Sequence, residues 1–116
     1  MSLLIKLSLA LNIAVLVPVC LSLLAGADGT LTAYGPPSPA RGILLSIYLA
    51  ILLVSIGLLF KPVPAMVAAL LIVQIVYKVT TPFTVGTLGN PVVLSNLAIA
   101  AFHAFTLRSI FAHSAT

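Results

Sequence analysis

The sequence predicts an all-α membrane protein, a bundle of four transmembrane helices arranged as two helical hairpins. Two observations lead to this fold class. Of the 116 residues, 62% are hydrophobic and only 5% are charged, whereas an ordinary soluble domain carries roughly 25% charged residues. The hydrophobic residues also form four stretches of 17 to 23 residues, and about 20 apolar residues cross a bilayer core. Residues 1–116 are therefore expected to form one integral membrane domain.

The four predicted spans cover residues 3–25, 43–60, 65–81 and 92–111. Proline and glycine support these limits, because a proline can open a helix but cannot continue one. Of the fifteen glycines and prolines in the chain, all but Pro18 and Gly57 fall outside the spans. Strands are not expected, because the stretches show no alternation of polar and apolar residues. In lipid, helices also satisfy their own backbone hydrogen bonds.

The distribution of cations predicts the orientation. Cytoplasmic termini place Lys6, Lys61 and Arg108 inside. Only Arg41 and Lys78 then lie outside or near the outer surface, as the positive-inside rule favours. The protein is expected to be a multi-pass protein of the cell membrane, either the plasma membrane or an inner membrane.

An alternative for the first span is a cleaved signal peptide. Residues 25–27 have the small side chains of a cleavage site, and Lys6 would belong to the basic region that precedes the apolar run. The apolar run is, however, longer than the roughly 7–15 residues typical of signal peptides. An uncleaved span is therefore expected.

The first connection, residues 26–42, is the longest segment between spans. Its prolines predict a stiff chain of extended, polyproline-like geometry. Asp28 and Arg41 carry opposite charges that attract, and Tyr34 suits the membrane interface. The connection is expected to act as a rigid connector. Its alternative role is a loop that docks a partner through Asp28, Tyr34 and Arg41, because loops commonly carry recognition.

Polar side chains within the spans indicate where a site could lie, because they are costly in hydrocarbon. In the third span, Gln74 and Lys78 are four residues apart and therefore share one helix face. Asn96 and His103 are seven apart and share a face of the fourth span. The predicted binding residues are Asn12, Gln74, Tyr77, Lys78, Thr81, Asn96 and His103.

The depths of these residues predict two levels. At about 1.5 Å of rise per residue, Asn12, Gln74 and His103 lie near the bilayer midplane. Lys78 and Asn96 lie together nearer the outer surface. The same residues could instead serve structure alone, because interhelical hydrogen bonds in membranes contribute about 0.6 kcal/mol on average. In that case Lys78 would reach toward the membrane surface along its apolar stem.

Catalysis, cofactors and metal ions are not expected. The chain has one acidic residue, one cysteine and two histidines, so it offers neither a carboxylate pair nor a cluster of metal ligands. His103 could ligate haem only in a symmetric dimer. Nucleic-acid binding is also not expected, because the five cations are scattered and form no basic patch.

Two functions remain. The first is a non-catalytic subunit or assembly factor of a larger membrane complex. It is favoured because the chain has few ionisable groups with which a transporter could couple its cycle to proton movement. The alternative is a small homo-oligomeric channel or carrier for a neutral or anionic solute, since cations outnumber acids. The expected partners are the lipid bilayer and either another membrane protein or further copies of this chain.

Overall fold

A computed structural model of the chain describes residues 2–26 and 28–114, and for Asp28 and Ser114 the backbone alone. Its helices are α1 (Ser2–Ala25), α2 (Asp28–Tyr34), α3 (Pro39–Phe60), α4 (Pro64–Val85) and α5 (Pro91–Ser114). The structure is 88% helix, and no strand occurs in the part of the chain that it describes. Four helices, α1, α3, α4 and α5, are long and apolar enough to cross a membrane. The prediction of four long apolar helices is confirmed.

Helix α3 begins four residues before its predicted start. Ser38 precedes it in an extended conformation, and its Oγ accepts a hydrogen bond of 3.1 Å from the Arg41 amide. Pro39 follows at the first helical position, where its missing amide costs nothing. Ser38 and Pro39 together form a standard helix start, and α3 therefore includes the end of the predicted connection.

Helix α4 continues through Pro82 to Val85, four residues beyond its predicted end. Pro82 has no amide with which to bond the carbonyl of Lys78. The Thr81 hydroxyl replaces it and donates to the Lys78 oxygen at 2.6 Å. Gly86, with φ of +86°, then ends the helix in the left-handed conformation that favours glycine.

The first half of the first connection is helical rather than extended. Helix α2 lies between Gly26 and Gly35, whose φ angles of +66° and +80° are left-handed. The predicted polyproline geometry is wrong for this half. The prolines of the connection all follow Gly35 in the sequence, so they cannot stiffen the residues that form α2.

The long helices pack as two antiparallel pairs, α1 with α3 and α4 with α5, and the pairs meet mainly through α1 and α5. At one end, which we term the closed end, all four long helices share an apolar core. This core consists of Ile5, Leu9, Leu58, Val67, Ala68, Leu71 and Ile110. At the opposite end, the buried apolar cluster comes from α1 and α3 alone. We term it the tyrosine end, because Tyr34, Tyr48 and Tyr77 lie there.

Candidate solute-binding site

A cavity of about 170 Å³ separates the two helix pairs at the tyrosine end. Its polar lining residues are Tyr34, Tyr48, Tyr77, Lys78, Ser95 and Asn96. Its apolar wall includes Leu16 and Val19 from α1 and Ile99 from α5. All five helices therefore contribute to one partly enclosed space, which has apolar walls and a small group of polar side chains, as small-molecule sites generally do.

Lys78 is the cation that lines this cavity. Its side chain is only 4% exposed. The ammonium donates one long hydrogen bond, 3.4 Å, to Gln74 Oε1 and lies 5.1 Å from the centre of the Tyr77 ring. None of the described side chains is acidic, since the chain has one acidic residue, Asp28. A buried ammonium without a carboxylate is costly, and Lys78, which lines the cavity, has no acidic partner among the described side chains.

Asn96 lines the same cavity from the neighbouring helix, α5. It is buried, and its Nδ2 donates a hydrogen bond of 3.5 Å to Thr81 Oγ1. Thr81 in turn donates to the Lys78 carbonyl, so α5 and α4 are joined beside the site. The structure thus places Lys78 and Asn96 at one level, and Tyr77 and Thr81 adjoin them.

All three tyrosines of the chain line the cavity. The rings of Tyr34 and Tyr48 pack edge to face, with centroids 6.1 Å apart. Burial raises the pKa of Tyr34, so its phenol stays neutral at physiological pH. Tyr48 was not among the predicted site residues. The sequence could have indicated Tyr48, because all three tyrosines lie in or near the two connections that meet at this end.

The three residues expected near the midplane are buried but are not bonded to one another. Asn12, Gln74 and His103 are each at most 2% exposed. Asn12 Nδ2 donates to Ser55 Oγ at 3.1 Å, and Gln74 bonds to Lys78. Ser55 was not among the predicted site residues, because helical spacing does not show which side chains meet across two helices.

His103 is fully buried inside the bundle. Its side chain is 0% exposed, and neither ring nitrogen makes a hydrogen bond of normal geometry. The Ser8 backbone and the Lys78 side chain lie near the imidazole. Beside it, the hydroxyls of Ser8 and Thr106 share a hydrogen bond of 2.7 Å between α1 and α5. The imidazole therefore contributes two unsatisfied nitrogens to the interior.

Arg41, expected on a docking loop, is directed into the protein. It is 8% exposed, and its guanidinium donates to Gly35 O at 2.8 Å, Thr30 Oγ1 at 3.0 Å and Leu23 O at 3.5 Å. These bonds tie the end of α1, helix α2 and the start of α3 together. Tyr34 lines the cavity, and the Asp28 side chain lies outside the described residues.

Helix α2 also bonds to the connection between α4 and α5. Asn90 Nδ2 donates to Ala33 O at 2.9 Å, and Asn90 Oδ1 accepts from the Val92 amide at 2.8 Å at the start of α5. Both connections therefore lie at the same end of the bundle. Ala33 and Tyr34 also line a neighbouring cavity of about 180 Å³, so α2 covers the tyrosine end.

The fold and the site define a class: a small all-helical protein with four helices apolar enough to cross a membrane and a lysine-containing cavity between them. Comparison of the chain with protein-family models, with curated proteins and with solved structures found no match. The chemistry of the site therefore has to be inferred from its own residues. In the part of the chain that the structure describes, no three His, Cys, Asp or Glu side chains could together hold a metal ion.

Proposed function

We propose that this protein is a multi-pass membrane protein that binds a small anionic solute beside Lys78 and carries it across the bilayer. The observation that supports the proposal is that the cavity is lined by Lys78, a buried lysine without an acidic partner among the described side chains. An anion in the cavity would supply the missing negative charge. Its binding would offset the cost of keeping the lysine buried.

The membrane location is inferred from the outer surface of the helices. Within the most apolar window of each long helix, only 22% to 33% of residues are buried inside the bundle. The side chains that the helices expose include large apolar ones, such as Leu53 at 67% and Phe60 at 86%. Lipid tails solvate such a surface at no cost, whereas water does not. The positive-inside rule, applied to exposed Lys61 and Arg108, favours a cytoplasmic closed end.

A carrier fits the bundle better than an open channel. The closed end is filled by the apolar core that includes Leu9, Leu71 and Ile110, so a solute bound at Lys78 has no straight path through the protein. Transport would require the two helix pairs to move relative to one another. Their contact surface is small, because it consists mainly of α1 against α5.

The accessory-subunit hypothesis stays an untested prediction. It requires a docking surface on the first connection. The Arg41 guanidinium bonds within the chain, and Tyr34 lines the cavity, so two of its three predicted contact residues have internal roles. No contact in the structure favours this function over solute binding.

Counterflow in proteoliposomes tests the proposal. Vesicles loaded with unlabelled chloride or isovalerate would receive a trace of the same labelled anion, and its uptake would be measured. We expect the wild type to accelerate uptake of at least one anion, and Lys78→Met to reduce it about tenfold or more, since one lost charge contact is worth at least about 1.4 kcal/mol.

Lys61→Met is the matched control, because it removes the same charge from an exposed position at the closed end. It should leave uptake unchanged. Equal uptake of both anions by protein-free vesicles, wild type and Lys78→Met would contradict the proposal.

A further inference from the structure

We infer that the ligand of the Lys78 cavity is a compact monocarboxylate with a short hydrocarbon body, about as large as benzene in all. This inference rests on the proposed function, because it takes the cavity to be an anion site. It adds the charge, the polarity and the size of the ligand. Three features of the cavity lead to it: the number of cations in its wall, the nature of the remaining wall and its volume.

The number of cations sets the charge. Lys78 is the cation among the described residues that line the cavity, and its polar neighbours Asn96 and Tyr77 are neutral donors. One ammonium compensates one negative charge. A dianion such as phosphate would keep a second charge in a poorly solvated space without a counter-ion, which is strongly unfavourable. The site therefore fits a monoanion whose oxygens accept hydrogen bonds.

The apolar wall indicates a hydrocarbon body. The apolar part of the lining includes Leu16 and Val19 on α1 and Ile99 on α5. A halide or nitrate bound at the ammonium would leave this wall without contacts. A ligand with an alkyl group would bury apolar surface against it and gain about 25 cal/mol per Å². The wall thus favours a carboxylate with an alkyl body over an inorganic anion.

The volume of the cavity limits the size of the whole ligand. The cavity holds about 170 Å³, and an apolar protein cavity of about 150 Å³ accommodates one benzene molecule. Isovalerate, a branched short-chain carboxylate, is of comparable size and is the probe we select. Long-chain fatty acids are too large for this space.

The protein carries its own reporter for this site. It contains three tyrosines and no tryptophan, and all three tyrosines line the cavity. Tyrosine fluorescence of the protein in nanodiscs can therefore be titrated with isovalerate, with its neutral amide isovaleramide and with chloride. We expect a saturable change with isovalerate. Isovaleramide and chloride should each bind about tenfold to a hundredfold more weakly, since each lacks either the charge or the alkyl body.

Substitutions at Lys78 complete the test. Lys78→Met should abolish the preference for isovalerate over isovaleramide, whereas Lys78→Arg should keep it and Lys61→Met should match the wild type. The three wild-type titrations remain decisive even where Lys78→Met does not fold.

The outcomes separate the two proposals. Binding of isovaleramide as tight as that of isovalerate, or of chloride as tight as that of isovalerate, would overturn the monocarboxylate assignment. In the chloride case the proposed anion site would stand. No fluorescence change with either anion, together with counterflow that does not depend on Lys78, would overturn both.

Discussion

The two ends of the bundle differ in how their helices meet. At the closed end, side chains from α1, α3, α4 and α5 form one apolar core, and Leu9 and Leu71 are 0% exposed. At the tyrosine end, the cluster of buried apolar residues comes from α1 and α3, with Tyr34 and Tyr77 packed against it, and a cavity lies between this pair and α4 and α5. The two helix pairs therefore share one apolar core at the closed end and have a cavity between them at the tyrosine end.

This difference indicates where stability and binding reside. Dispersion contacts and close packing hold helices together in a bilayer, because lipid removes most of the hydrophobic driving force. The closed end supplies those contacts. At the tyrosine end, buried polar groups line a cavity instead. Helix α2 covers this end and is held in place by the hydrogen bonds of Arg41 and Asn90. Such a division is typical of proteins in which a rigid scaffold supports a site.

The largest expected effect is a loss of stability at the closed end. Leu9→Ala should lower the free energy of unfolding by about 2–5 kcal/mol, because it opens a void among four helices. Leu16→Ala, seven residues along the same helix, removes a side chain that already borders a cavity. It should cost about half as much. Unfolding in mixed detergent micelles measures both. Equal losses at the two positions would show that the ends are packed alike.

The second effect concerns the cover of the tyrosine end. Arg41→Met removes the guanidinium that bonds to Gly35, Thr30 and Leu23, so α2 should open about 2–3 kcal/mol more easily. Hydrogen exchange of the α2 amides measures this opening.

Arg41→Lys is the control for charge. It keeps the cation but lacks the planar fork that reaches several acceptors, so it should also weaken α2. Wild-type protection of α2 in both variants would mean that these bonds do not hold the cover.

The third effect is a gain of stability. His103→Leu replaces a buried imidazole whose two nitrogens make no hydrogen bond of normal geometry among the described residues. Removing unsatisfied polar atoms should raise the free energy of unfolding by about 1–2 kcal/mol. Asn12→Leu is the contrast, because it breaks the bond to Ser55 and should not stabilise. A destabilised His103→Leu variant would indicate that the imidazole has a bound partner.

The smallest effect tests the proline within α4. Thr81→Val removes the hydroxyl that bonds to the Lys78 carbonyl and should cost about 0.5–1.5 kcal/mol. In a Pro82→Ala background, the new amide at position 82 can bond to the same carbonyl. Thr81→Val should then cost less, and a double-mutant cycle measures the difference. Additive effects of the two substitutions would rule out this compensation.

The sequence predicts the helices well because length and composition determine them. Four apolar stretches of sufficient length leave little choice of structure, and the four long helices follow them. The helix ends were less predictable. A single side-chain hydrogen bond of Ser38 stabilises the earlier start of α3, and one of Thr81 allows α4 to continue beyond Pro82. Helix α2 depends on contacts of Arg41 that only the folded chain brings together.

The site was predictable in part, for a similar reason. Helical spacing places Lys78 and Tyr77 toward the same neighbourhood, and the structure brings Asn96 to it. Pairing across helices could not be read from spacing, so Ser55 was missed as the partner of Asn12. The cavity itself forms where the two helix pairs separate. The spacing of residues along a single helix does not predict this separation.

The most direct test of the difference between the two ends is thiol accessibility inside the bundle. In a Cys20→Ala background, Leu16→Cys and Leu9→Cys place one thiol at each level of α1, and methyl methanethiosulfonate is small enough to enter the cavity. We predict rapid modification at position 16, slowed by isovalerate, and negligible modification at position 9. Equal rates at the two positions would contradict a bundle that is closed at one end and open to solute at the other.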